Sequence, residues 1–102
     1  MNSLIQTPTP DLAKSIAFYQ RLNFQQLAAE HPNVLSDGKA LIEINADRFA
    51  RAGIKLYAAS WEKYLIPLKK LVNVHTIEGG FLFSDPSGTW VYLMEASAPV
   101  AF

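Results

Sequence analysis

The chain has 102 residues, half of them hydrophobic and 18% charged, enough for one modest domain with little surplus burial. Nine Lys and Arg balance nine Asp and Glu, which excludes a global field for recruiting nucleic acid or an anionic membrane surface. The lack of cysteine excludes disulfides, thiolate metal sites and cysteine nucleophiles. It also accords with a reducing cytoplasm, the expected location. No run approaches ~20 apolar residues, and the N-terminus lacks a basic segment followed by an apolar one. Neither a membrane span nor a secretory signal is expected.

Leu4 to Thr7 forms the first predicted strand, ending in Thr7-Pro8-Thr9-Pro10. Thr9 is the expected N-cap of a helix, with Pro10 at its first position and Asp11 facing the positive end of the dipole. Leu12, Ile16, Tyr19 and Leu22 then recur at helical spacing as one buried stripe, and Asn23 closes the helix. Three strands follow. Phe24 to Glu30 is extended, His31-Pro32-Asn33 breaks the chain before Val34-Leu35-Ser36, and Asp37-Gly38 signals a hairpin. From Lys39 to Asn45 the pattern alternates, with Ala40, Ile42 and Ile44 on one face and Leu41, Glu43 and Asn45 on the other.

The second half repeats this order. Ile54 to Ala58 is a strand and Ser60 a candidate cap. Trp61, Tyr64, Leu65, Leu68 and Val72 make a helical stripe that Pro67 should kink. Val74 to Ile77, Phe81 to Ser84 and Thr89 to Glu95 are the remaining strands, separated by Gly79-Gly80 and by the turn Asp85-Pro86-Ser87-Gly88. Leu22-Asn23-Phe24 falls on Val72-Asn73-Val74, so a weak repeat relates the halves. The expectation is an α+β fold of two βαβββ modules, near residues 1–50 and 51–102. Leu12, Ile16, Tyr19, Leu22, Ile42, Ile44, Leu68, Val91 and Leu93 should be buried.

Two segments carry a resemblance: Pro10-Asp11-Leu12-Ala13-Lys14-Ser15-Ile16-Ala17-Phe18-Tyr19 and Asp85-Pro86-Ser87-Gly88-Thr89-Trp90-Val91-Tyr92-Leu93. They are similar to the opening and closing signatures of the vicinal oxygen chelate superfamily, which includes glyoxalase I, bleomycin-resistance proteins and extradiol dioxygenases. The resemblance implies paired modules curved around a shared concave space, with helices on the convex faces. In metal-dependent relatives, four inward positions hold His, Glu or Gln around one divalent ion. Those positions fall here on Leu4, Glu43, Gly53 or Ile54, and Tyr92. One potential ligand of four remains, too few for a stable site. A one-residue offset would offer Gln6, Lys55 or Glu95, but strand alternation should turn the shifted side chain to the wrong face. No metal, cofactor or catalytic residue is therefore expected.

His31 and His75 are the only imidazoles. His31 lies in an apparent turn and His75 in a short polar-flanked strand. Each is a possible general base, yet no neighbour in sequence would orient either. Glu43 belongs on a solvated face or, if Ala40, Ile42 and Ile44 meet the helix, in the cavity, where it would pair with a cationic ligand or with Lys55. Trp90, Tyr92 and Met94 share one face of the last strand. They offer flat, polarisable surface for a planar ligand, a dimer contact or plain core.

The favoured function is a metal-independent small-molecule binder of the bleomycin-resistance type, with a ligand in contact with Leu4, Gln6, Glu43, Trp90 and Tyr92. The resemblance also implies two alternatives. One is a metal-dependent lyase or dioxygenase; the other is a structural or regulatory domain with a filled cavity. A homodimer is expected, because Trp90 and Met94 would otherwise expose apolar surface. The balance of charge weighs against a cationic glycopeptide ligand.

Overall fold

A computed structural model describes residues 3–99. The elements are β1 (Ser3–Pro8), α1 (Leu12–Gln20), β2 (Gln25–Gln26), β3 (Val34–Ser36), β4 (Leu41–Asn45), β5 (Gly53–Ala58), α2 (Glu62–Lys69), β6 (His75–Ile77), β7 (Gly80–Ser84) and β8 (Trp90–Glu95). All eight strands form one mixed sheet in the order β2-β3-β4-β1-β5-β8-β7-β6. Each half is thus a βαβββ module, and the second half runs through the sheet as the mirror of the first.

The modules join within the chain through the antiparallel pair β1/β5, with Ile5 opposite Ile54. Parallel pairs flank this seam on each side, β1 with β4 and β5 with β8. Their registers match. Gln6 lies opposite Glu43, and Lys55 opposite Tyr92, at the same separation along the chain. A pseudo-two-fold axis through the Ile5/Ile54 pair therefore relates Gln6 to Lys55 and Glu43 to Tyr92.

On one face of the sheet, the buried residues Leu35, Ile42 and Ile44 pack against Leu12, Ile16, Tyr19 and Phe24. This is the helix face, and its strand residues follow the alternation expected of β4. On the opposite face Leu4, Val34 and Leu41 cluster with Ala28 and Tyr57. No helix covers that second face, yet Leu4, Gln6 and Tyr92 are buried on it. A flat sheet would leave them in water. Their burial means that the sheet curls over its own inner face, as strand twist and short edge strands allow.

Several local expectations are corrected. The N-cap of α1 is Asp11, whose carboxylate accepts the Lys14 N–H, rather than Thr9. Thr9 instead takes the Asp11 N–H on its hydroxyl and bonds Ser15, so Pro10 lies outside the helix. Leu22 was expected in the core but is 55% exposed, because the helix ends at Gln20 and Asn23 turns the chain with φ 68°. Leu12, Ile16, Tyr19, Leu68 and Val91 are only half-buried, whereas Ile42, Ile44 and Leu93 are buried as expected. Phe24 to Glu30 is extended only at Gln25–Gln26. β4 begins at Leu41 because the Asp37 carboxylate holds the N–H groups of Lys39 and Ala40 in the turn.

In module two, Ser60 accepts the Glu62 N–H at the start of α2, although the capping position itself is Trp61. Pro67 sits inside α2, which ends two residues later at Lys69. The missing N–H leaves the Lys63 carbonyl one turn earlier without its helical partner, while the helix itself continues past Pro67. Tyr64, on the expected buried stripe, is exposed. The final strand begins at Trp90, and Gly88 closes the preceding turn with φ 94°.

Candidate functional site

The inner face is built from alternate residues of four adjacent strands. β1 contributes Leu4 and Gln6, β4 Leu41 and Glu43, β5 Lys55 and Tyr57, and β8 Trp90, Tyr92 and Met94. The period of two along each strand sets this grouping. Cross-strand register then brings Gln6 beside Glu43, and Lys55 between Leu4 on β1 and Tyr92 on β8.

The centre of this face is an ion pair between modules. Lys55 Nζ donates to Glu43 Oε1 at 2.7 Å, and both side chains are 13% exposed. The same ammonium lies 5.4 Å from the Tyr92 ring centroid. At this depth the pair is screened far less than a surface pair, but each charge also gives up much of its hydration. Tyr57 records the environment: burial first, then the Glu43 charge, pushes its hydroxyl up to about 12.

Gln6 is 1% exposed and spends both ends of its amide. Its Nε2 donates to the Arg51 carbonyl at 2.9 Å, and its Oε1 accepts from Asn45 Nδ2 at 3.0 Å. The Tyr92 hydroxyl accepts the Arg51 N–H at 3.1 Å. Arg51 is thereby pinned by its backbone to the two side chains below it. Its guanidinium lies over the Trp90 ring, 4.3 Å from the centroid. Among the described residues, no buried side-chain polar atom lacks a hydrogen-bond partner.

All five expected contact residues, Leu4, Gln6, Glu43, Trp90 and Tyr92, lie on this one face. The pairing of Glu43 with Lys55, one of the two partners expected for a cavity-facing Glu43, is present. As a family ligand position Lys55 was set aside because a one-residue offset seemed to point it the wrong way, whereas Ile54 itself is on the helix face and 40% exposed. Its neighbour Gly53 cannot carry a side chain, since a Cβ would collide with the Trp90 carbonyl. The inward side chain of β5 is therefore Lys55. Arg51 escaped the expectation altogether: it precedes the strand, and no periodicity in the sequence marks it.

The histidines lie apart from this centre. His75 opposes Leu82, which opposes Tyr92, so it stands three strands from Lys55, roughly 14 Å at ordinary strand spacing. It is exposed at the sheet edge. His31 shapes a turn through its backbone, donating to the Ala28 carbonyl and accepting from the Val34 N–H. A hollow of about 380 Å³ at the end of the seam is lined by Ser3, Ile5, Lys39, Ala40 and Ile54 and reaches Leu4 and Leu41 of the inner face.

These residues do not fit a divalent ion. Leu4 has no lone pair, Gly53 no side chain, and Gln6 has already committed its amide. Lys55 places an ammonium against Glu43, the one carboxylate of the set. Among the described residues no group of three or more His, Asp or Glu is arranged to hold a metal.

No family model matches the chain, and no curated protein matches it. Among solved structures, it is similar to the crystal structure of a glyoxalase/bleomycin resistance protein/dioxygenase superfamily member from Vibrio splendidus 12B01. The TM-score is 0.56 at 12% sequence identity, over 89% of this chain and 95% of that one. At that identity the likeness establishes the fold. The chain has the α+β architecture of the glyoxalase/bleomycin resistance/dioxygenase superfamily.

Proposed function

We propose that this protein binds a small molecule without a metal ion, on the inner face of its sheet. Leu4, Gln6, Glu43, Trp90 and Tyr92 are the contact residues. The observation that carries the proposal is the Lys55 ammonium, 2.7 Å from Glu43 at the centre of that face. It supplies an internal positive charge where enzymes of this fold gather ligands for an ion. Aromatic and apolar side chains beside it provide the low-polarity surface that small-molecule sites use.

The test is a thermal melt with nickel, zinc, manganese or iron(II), alongside a titration with small aromatic compounds followed by backbone amide shifts. A flat metal response with shifts at the inner face is the expected result. A rise of several degrees with metal, abolished by Glu43→Ala, would restore the metal-dependent lyase or dioxygenase.

A filled structural domain is the second reading. The mutual bonding of Gln6, Asn45, Arg51 and Tyr92 favours it, because a ligand must compete with bonds already made. Absence of shifts with every compound would select that reading. The proposal includes a homodimer closed over the concave face, where Trp90 and Met94 are half-buried rather than exposed, and a cytoplasmic location in keeping with the absence of cysteine. Light scattering showing a monomer at micromolar concentration would remove the dimer.

A further inference from the structure

We infer that the molecule taken by this face is a small organic anion, a carboxylate on a flat apolar body, with its oxygens held by Arg51. This rests on the binding proposal above and specifies the chemistry of the ligand.

The charges on and beside the inner face do not cancel. Lys55, Arg51 and Arg48 stand against Glu43 and Asp47. Glu43 is engaged by Lys55, and Asp47 Oδ1 accepts the Phe49 N–H in its own loop. Arg48 stacks outward on Phe49, which is itself exposed. Arg51 remains. Among the described residues the only ion pair is Lys55 with Glu43, so no carboxylate neutralises the Arg51 guanidinium. It lies instead over Trp90, 4.3 Å from the ring centroid.

Stacking uses the face of a guanidinium and leaves its edge donors free, in the planar fork that matches a carboxylate. Arg51 is also preorganised. Its N–H donates to the Tyr92 hydroxyl and its carbonyl accepts from buried Gln6, which lowers the cost of ordering it around a ligand. The half-buried Trp90 and Met94 share the inner face of β8 beside the guanidinium and supply apolar surface for the body of the ligand. A cationic ligand would face the like charge of Arg51 there, and a neutral one would gain no charge-assisted bond.

Three probes of one shape and different charge test the inference on the full chain: benzoate, benzamide and benzylammonium, titrated by calorimetry and by amide shifts. Benzoate should bind about tenfold tighter than benzamide, the gain of one charge-assisted contact. Added salt should narrow that gap. Arg51→Gln should bring benzoate to the level of benzamide and leave benzamide unchanged, while Lys69→Gln on α2 should change neither. If Arg51→Gln fails to fold, Arg51→Lys keeps the charge but loses the fork, and should give up part of the preference. Benzamide or benzylammonium binding as well as benzoate would overturn the anionic assignment and leave the binding proposal standing. So would a benzoate preference that survives both Arg51 variants. Failure of all three probes to move any inner-face resonance would overturn the assignment and the binding proposal together.

Discussion

The two modules share one topology and register, yet the core between helix and sheet is more deeply buried in the first. Its Leu35 and Ile44 are fully enclosed, whereas Phe83 and Leu93 of the second keep slight exposure. In module one, α1 lays Leu12, Ile16 and Tyr19 on the fully buried Leu35 and Ile44, and Tyr19 meets Phe24 edge to face. In module two, α2 leaves Tyr64 and Ile66 in water, and Leu71 just beyond its end is exposed as well. It is tethered mainly at its start, where the Trp61 indole N–H donates to the Met94 carbonyl and the Trp61 backbone N–H to Glu95. The seam side of module two also packs differently: Gly53 lets β5 approach the Trp90 carbonyl more closely than any side chain would allow. The first module holds the fully buried part of the helix-face core, and the second, with a more exposed helix and a glycine-lined seam, supplies Lys55, Trp90 and Tyr92. The comparison shows that a duplicated fold need not duplicate its core.

The sharpest challenge to this division is Gly53→Ala. The added Cβ meets backbone, which cannot rotate away, so β5 and β8 must separate. We expect loss of the cooperative unfolding transition, or a cost at the upper end of single-residue effects, above roughly 4 kcal/mol, measured by urea denaturation. A near-neutral result would mean that the seam is loose and that module two is held by something else.

Next comes a matched pair of truncations. Ile44→Ala removes a fully buried side chain from under α1 and should cost roughly 2–5 kcal/mol. Leu68→Ala, half-buried on α2, should cost less than about half of that, because less apolar area leaves the core. Equal costs would erase the distinction between the modules.

The ion pair across the seam gives a smaller and more diagnostic effect. Lys55→Met leaves Glu43 without its partner on a largely buried face and should destabilise by roughly 1–3 kcal/mol. Glu43→Leu together with Lys55→Met should recover most of that loss, since an apolar pair avoids both desolvation penalties. If the double variant is no better than the single one, the pair is not an isolated unit.

The smallest effects concern pH. Asp85 is held below the usual carboxylate range, first by the Ser87 hydroxyl and then by backbone N–H groups including that of Thr89. Asp37 is lowered in the matching turn of module one by the N–H groups of Ala40 and Lys39. A depressed folded value means that the stabilisation is present above the unfolded carboxylate value and is lost as pH falls through the folded one. Asp85→Asn and Asp37→Asn should each flatten the acid limb of a plot of melting temperature against pH. Tyr57 runs the other way. Its value is raised to about 12, so its contribution is complete below the unfolded value near 10 and fades as pH rises toward 12. Tyrosinate absorbance of Tyr57→Phe against the parent checks this directly.

Much of the fold was legible because local chemistry and period agree with it. The alternation from Leu41 to Asn45 separated Ile42 and Ile44 from Glu43, and those residues do lie on opposite faces. The turns at Asp37-Gly38 and Asp85 to Gly88 declared themselves by carboxylates that bond the following N–H groups and glycines at φ 94°. Leu22 misled because helical spacing continues past the point where the backbone leaves the helix; a stripe in sequence is blind to its own end.

The sequence by itself determined the element order, the period of each strand and the absence of thiol chemistry, because each depends on residues within a few positions of one another. The sequence offered Lys55 as one partner for Glu43, but the tertiary structure decided which inward residues meet. Lys55 faces Glu43 only because β1 lies between β4 and β5 with Ile5 opposite Ile54. Arg51 joins the site only because Gln6 and Tyr92, from strands far apart in the chain, grip its backbone. Such pairings depend on long-range register, which is set by how the whole sheet closes and by close approaches such as that at Gly53, and no local pattern encodes them.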